Sequence, residues 1–350
     1  TRSFHVTGVQ TCALPICITS IAAAGQSGLR IGYSTSSVGT LQVLSKTGDI
    51  LFNTGSTAIE TTNASSTITL GYVSGDALVP TSTSDIKFVS DKFSSAGALT
   101  FNTSGSLLIE PFSQSFSADF NTSSLNYAPG LSKLTIGKSG NTSSITIGSS
   151  ANIAGPITVY GGNISVSGNL NTTSGAALGD VLRKASGDIS LATTKSITTS
   201  GGDVVLWANS DNQNTNGSIL LYGVSSITTG GGPLWMAGGA ASATAWHGLT
   251  VGDGYAVSGT AITGTGNAAN FGQVGVFMEE ASLSTSGGDI YIRGKTTTFR
   301  GFLTTGTVDV NAGAGKIYIE GLVVGDGGAA GTGWHHSTTT AYRNGNFTLT

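Results

Sequence analysis

Apolar and polar positions alternate in short runs along this chain. From Ala96 onward, apolar residues fall two apart and are soon followed by Gly, Ser or Asn. Leu107 and Ile109 form such a pair, as do Leu134 and Ile136, Ile145 and Ile147, and Ile157 and Val159. Ile164 and Val166, Ile189 and Leu191, and Ile219 and Leu221 continue the series. Ile290 and Ile292, Val308 and Val310, and Ile317 and Ile319 extend it. A period of two places each pair on one face of a strand, here predicted to be the inward face. The residues between are mostly Ser, Thr, Tyr or Glu, so the opposite face is predicted to be wet. Residues 18–95 are less regular, with short strands expected at Thr47 to Asn53, Ser66 to Val73 and Asp85 to Ser90. Helical periodicity is absent. Gly175 to Ser186 reads as a loop between strands, with room for one helical turn.

The pattern also repeats. Ser196 to Asn209, "SITTSGGDVVLWAN", returns as Ser282 to Lys295, "SLSTSGGDIYIRGK", after 86 residues. "GAASATAWH" at Gly239 returns as "GGAAGTGWH" at Gly327 after 88. A shorter echo, "SITTGGGPLWMAGG", starts at Ser226, 30 residues after Ser196. Fixed-period self-similarity signals a stacked architecture. Coils of roughly 20 to 30 residues fit the range of solenoid repeats. The predicted fold is therefore all-β, a parallel β-helix (β-solenoid). Residues 96–350 form its regular part, with a long repeat over 196–281 and 282–350.

Composition supports stacking over disorder. Charged residues are 9% of the 350, and 53 are glycine. Disordered chains combine high charge with few β-branched residues, whereas Val, Ile and Thr abound here. A net charge of −3 argues against a nucleic-acid partner. No apolar run reaches the roughly 18 residues of a membrane span. Val6 to Ile16, "VTGVQTCALPI", resembles an in-frame translation of a sequencing-library adapter, so residues 1–17 are set aside as a scar. Both cysteines, Cys12 and Cys17, fall there, which leaves no disulfide framework. The chain is then expected to be a fragment with uncapped ends. Its last pair, Phe347 and Leu349, is expected to join the preceding coil.

Several runs carry a family resemblance. They are "GSLLIEPFSQSF" at Gly105, "LSKLTIGKSGNTSSITIGSS" at Leu131, "AGPITVYGGNISVSGNLNTT" at Ala154, the "SGGD" coils and "GKIYIEGL" at Gly315. Over most of Ala96 to Leu322 the chain resembles the filamentous-haemagglutinin-like adhesins of bacterial surfaces. The resemblance implies a right-handed parallel β-helix, export to the cell surface, adhesion, and no catalytic residues. The Asn-Pro motif of two-partner-secreted members does not occur.

Candidate chemistry is sparse. Asp188, Asp203 and Asp289 each follow Gly and precede a strand. They read as turn residues that cap backbone N–H groups, since Ser218, Pro233 and Lys316 hold the comparable place in other coils. Trp246, His247, Trp334 and His335 recur in loops rich in Ala and Gly, with Tyr342 and Arg343 near the second pair. These are the candidate ligand or interface contacts, because Trp, Tyr and Arg are enriched at interfaces. The plainer reading has each Trp lid the core. Glu279 and Glu280 would not cooperate as acid and base, because strand neighbours point to opposite faces, and they read as surface charge. No nucleophile motif, zinc spacing or cofactor signature is found. The expectation is a non-catalytic structural or adhesive segment whose partners are surface glycans or proteins. The alternative is a carbohydrate-active β-helix enzyme, which would need Asp converging with Lys or Arg on one face.

Overall fold

The computed structural model describes residues 38–78, 81–213, 217–246, 249–258, 261–263, 270–297, 299–324, 332–336 and 340–349. Ahead of these it describes the strands Ile16–Thr19 and Ser27–Ile31. Among the described residues, the regular secondary structure is nearly all strand. The strands pair almost wholly in parallel, in sheets of 20, nine and four strands.

Succession along the chain follows a three-step circuit. Ile145–Ile147 is followed by Ala151–Ile153 and then Ile157–Gly161. The next three strands, Ile164–Val166, Leu170–Thr172 and Val181–Ala185, pair parallel with those three in the same order. Three ladders result. The first passes through Ile157, Val181, Val204, Leu234, Ile290 and Ile317. The second passes through Ile145, Ile164, Ile189, Ile219, Val276 and Phe302. The third passes through Ala151, Leu170, Ile197, Ile227, Leu283 and Val310. Inward residues from all three merge into one buried cluster that extends from Val43 to Ile319. The ten period-two pairs from Leu107 and Ile109 to Ile317 and Ile319 all lie in it. A single circuit cannot bury its own apolar face, so each depends on its neighbours.

The repeated Thr-x-Gly-Gly stretch explains itself in this stack. Thr199, Thr229 and Thr285 point inward and are buried at the end of the third ladder. Each hydroxyl donates to the carbonyl three residues on, at Gly202, Gly232 and Gly288. That bond closes the corner toward the first ladder. The second glycine of each pair is required by close stacking. A Cβ on Gly232 would lie 2.3 Å from the Gly202 oxygen, and one on Gly288 would lie 2.2 Å from the Gly232 oxygen. Thr229→Val keeps the shape but leaves the Gly232 carbonyl without its donor. We expect a loss of about 1–3 kcal/mol, the usual cost of an unsatisfied buried group, read as a lowered denaturation midpoint.

The long repeat resolves into two unequal circuits. Ser196 pairs with Ser226, and Ser226 with Ser282. The second of these circuits is long because an insertion leaves the stack. Leu234–Trp246 runs on past the first ladder and returns antiparallel as Leu249–Gly254. Three expectations are corrected here. Gly175 to Ser186 is not a loop: after one 3-10 turn, Ala176–Gly179, the segment Val181–Ala185 is a full strand of the first ladder. The wet-face rule fails at Val205, Trp207 and Trp235, which face outward yet are buried with Ala237 and Val251. Glu279 is buried rather than surface charge, and its Oε2 accepts the Gly223 N–H at 3.4 Å. Near the other end, Ile16 and Cys17, inside the presumed scar, pair with Ile50 and Leu51. Phe347 and Leu349 pair with Ile317 and Ile319, as expected.

Candidate functional site

The outward side of the first ladder carries the densest group of functional side chains. Strand register sets Trp235, Tyr291 and Tyr318 side by side, and beside them Arg293 against Glu320. The Tyr291 and Tyr318 rings stack at 4.8 Å. Arg293 Nε donates to Glu320 Oε2 at 2.8 Å, and Tyr318 Oη donates to the same oxygen at 2.9 Å. Tyr255, which follows the hairpin, donates its hydroxyl to Glu320 Oε1. Its ring lies under the Arg293 guanidinium, 3.9 Å from centroid to Cζ. Arg293 Nη1 also reaches the Asp253 carbonyl at 3.2 Å. Arg293 and Glu320 keep 19% and 21% of their side-chain surface, so the group is open to solvent at its rim.

Electrostatics keep this group charged and paired. Burial alone would raise the Glu320 carboxyl. Hydrogen bonds from Tyr255, Tyr318 and Arg293 outweigh it and hold the pKa below the usual carboxylate range. Glu320 is therefore no general acid at neutral pH. The patch stabilises the fold above the unfolded glutamate pKa of about 4.3. That contribution is lost as pH falls through the lower folded value. Parent and Glu320→Gln should thus differ in thermal midpoint at pH 7 and converge in acid. A midpoint difference independent of pH would refute the assignment.

A roof lies beside the patch. Trp207 and Trp235 meet edge to face at 6.1 Å, and Trp207 Nε1 donates to the Gly239 carbonyl at 2.8 Å. Lys184 Nζ sits 4.0 Å from the Trp207 ring centre. Between the returning strand and the first ladder lies a cleft of about 180 Å³ that includes Asp180, Leu182, Asp203, Thr250 and Val251. Asp180 and Asp203 lie on adjacent circuits. Asp180 Oδ1 accepts the Asp203 N–H at 2.8 Å, and burial raises the Asp180 carboxyl.

Of the aspartates named from the sequence, Asp188 and Asp289 act across circuits rather than within a turn. Asp188 Oδ1 accepts the Gly217 and Ser218 N–H groups at 3.0 and 2.7 Å. Asp289 Oδ1 accepts the Lys316 N–H at 2.7 Å. Asp49, Asp85 and Asp119 do the same for Asp85, Ser106 and Ser144. Each receives a backbone N–H where a neighbouring circuit enters a ladder, so these carboxylates serve as caps. Asp203, Asp289 and Lys316 share the first ladder with Arg293, while Asp188 precedes a strand of the second.

Of the tryptophan-histidine candidates, Trp246 alone has a described side chain. Trp246 ends an outlying strand and packs, half-buried, on the roof cluster. Trp334 and His335 belong to Thr332–His336, in the second ladder, where they pair with Phe302 and Leu303. Both tryptophans are therefore in strands, not loops, and in unlike settings. Tyr342 and Arg343 pair with Val310 and Asn311 on the third ladder. His247 lies outside the described residues, as do the side chains of Trp334, His335, Tyr342 and Arg343. Sequence reasoning noted Tyr255 only as a neighbour of Trp246 and missed its grouping with Tyr291, Tyr318 and Glu320. Its signal was "IYIRG" at Ile290 and "IYIEG" at Ile317, one circuit apart with opposite charges at one position. Among the described residues no three His, Cys, Asp or Glu side chains gather as a metal site, and no helix is long and apolar enough to cross a membrane.

The fold thus defines the class as an all-β protein of stacked parallel strands. Compared with known protein families, curated proteins and solved structures, the chain matches none.

Proposed function

We propose that this chain is a non-catalytic, adhesive segment of an exported bacterial surface protein, wound as a right-handed parallel β-solenoid. One observation carries the reading. Asp180, Asp188 and Asp289, carboxylates that a β-helix enzyme would turn on a substrate, are engaged with backbone N–H groups of neighbouring circuits. Partly open to solvent beside them is the Tyr255, Tyr291, Arg293, Tyr318 and Glu320 patch. Its rings and paired charges suit a hydroxyl-rich glycan, which offers both apolar faces and hydrogen-bonding groups. The resemblance to haemagglutinin-like adhesins agrees with an extracellular, cell-surface location.

The test is binding of the purified chain to immobilised glycans and to cell surfaces. Tyr255→Ala with Arg293→Ala should weaken binding about tenfold or more, as loss of about 1.4 kcal/mol does. A parent that binds neither, or a doubly substituted chain that binds like the parent, overturns the reading.

A second reading is a carbohydrate-active enzyme, and the Asp180–Asp203 cleft favours it. Adjacent circuits place two carboxylate-bearing positions about 4.8 Å apart along the stack, beside apolar walls. On this reading, assays for glycosidase and lyase turnover give activity that Asp180→Asn abolishes. On the adhesive reading they stay at background.

A further inference from the structure

One corner of the stack is notched. Four successive circuits pass from the first ladder to the second, and their crossings differ in length. Gly162 and Asn163 alone make the second crossing, and Ser186 to Asp188 the third. The first, Gly137 to Ser144, and the fourth, which begins at Asn209, are much longer. The short crossings form a floor, and the long ones rise as walls on either side. A floor two circuits wide spans about 10 Å. Two cavities of about 240 Å³ each fill the notch, and they share Thr142, Ser186 and Asp211. Tyr160 and Lys184, register partners on the first ladder, line only one of them and so close that end. The chain's own backbone holds this shape. Gly162 N–H donates to the Ser143 carbonyl at 2.9 Å, Gly187 N–H to that of Gly162 at 2.8 Å, and Ser210 N–H to that of Ala185 at 2.9 Å. Asn141, buried at the base of the first wall, donates Nδ2 to the Tyr160 carbonyl at 2.9 Å.

Among the described residues that line the notch, Lys184 is the only cation and Asp211 the only carboxylate. Lys184 is half-buried, with Nζ 4.0 Å from the Trp207 ring centre, and it forms no ion pair with a described residue. An ammonium drawn partly out of water without a counter-charge suits an anionic group on a ligand. Around it stand hydroxyls. Those of Tyr160, Ser186 and Ser210 make no hydrogen bond to a described residue. Hydroxyls both donate and accept, and a carboxylate such as Asp211 only accepts, so the set matches a ligand rich in hydroxyls of its own. Asp211 also disfavours a second negative charge in the same cavity. The Tyr160 ring adds an apolar surface. One carboxylate, several hydroxyls and an apolar face are the features of a hexuronic acid. We propose that the notch binds a hexuronate residue of an acidic polysaccharide, its carboxylate on Lys184 Nζ and its hydroxyls on Ser186, Ser210 and Asp211. A pocket held in shape before binding loses little in ordering itself around the sugar. The notch extends the carbohydrate reading to a second site, but it does not depend on the Tyr255 patch, from which the roof at Trp207 separates it.

Calorimetric titration of the whole chain with trigalacturonate tests it, beside galactotriose as the neutral counterpart and glutamate as a carboxylate without a sugar ring. Trigalacturonate should bind saturably, and the other two about tenfold more weakly or worse. Lys184→Met keeps the stem over Trp207 but removes the charge, and should cost trigalacturonate about tenfold or more in affinity. Asp211→Asn should weaken binding less. Tyr255→Ala with Arg293→Ala should leave it unchanged, which separates this site from the patch. Should Lys184→Met fail to fold, as read from its tryptophan emission, Ser210→Phe fills the notch from the wall and should abolish binding. Failure of trigalacturonate to bind overturns the proposal, as does equal binding of galactotriose or glutamate. Binding that survives Lys184→Met or Ser210→Phe, or that is lost with Tyr255 and Arg293, also refutes it.

Discussion

An Ile147→Asp chain is expected to unfold far below the parent, and to do so first around the substitution. Ile147 is 1% exposed and stacks in the second ladder beside Val166. The substitution removes a buried aliphatic group, which alone costs about 2–5 kcal/mol. It adds a carboxylate with no buried cation beside it, which costs several kcal/mol more. Circuits contact only their neighbours, so the damage should stay local. Hydrogen exchange should then show protection lost across Ile145–Ile147 and Ile164–Val166 but kept across Ile290–Thr296. A variant that melts like the parent, or that loses protection uniformly, would show that the ladders do not share one stacked interior.

Much of this interior was legible in the sequence because its rule is local. A residue two places from an apolar partner and beside a glycine turn faces inward, and that depends on strand pleat alone. Inward assignment therefore succeeded from Leu107 to Ile319. Failures have particular causes. Val181–Ala185 reads Val-Leu-Arg-Lys-Ala, and the inward Arg183 hides the period. The long repeat reads as several coils of similar length, yet it consists of a compact circuit and one with an inserted hairpin. Matching Trp246 to Trp334 followed a shared Ala- and Gly-rich composition, which fixes no position in the stack.

The outward surfaces were less legible for a different reason. Whether an outward residue is wet depends on what folds over it, and that is a long-range fact. Val205, Trp207 and Trp235 look like a strand with both faces apolar, but only the hairpin shows why. The patch at Tyr291 and Tyr318 was hidden in the same way. Its members belong to successive circuits, and only parallel register brings Arg293 against Glu320. The aspartates behave similarly. A turn cap was expected at each, and Asp188 and Asp289 are caps, but across the circuit boundary, where they add to the backbone ladders in holding one turn of chain to the next.

Trp235→Ala is expected to open the roof while leaving the stack standing. Trp235 is 1% exposed, lies between Val205 and Tyr291 on the outward face, and supports Trp207 edge to face. The returning strand fits against this pair only because it is slender there. A Cβ on Gly252 would lie 2.5 Å from the Gly238 oxygen and 2.8 Å from Trp207 Nε1. Truncating a buried tryptophan costs about 3–5 kcal/mol. That cost falls on the hairpin, since the inward neighbours Leu234 and Met236 stay in the continuous core. The Trp207 indole should then lose its bond to Gly239 and become wet, shifting tryptophan emission to the red. Limited proteolysis should cut between Gly239 and Gly254, while the core transition followed by far-ultraviolet circular dichroism moves little. Trp246→Ala, at the half-buried tip, should have a much smaller effect on both readouts. If Trp235→Ala instead collapses the core transition and leaves the hairpin uncut, the hairpin is an integral part of the stack rather than a cover laid over it.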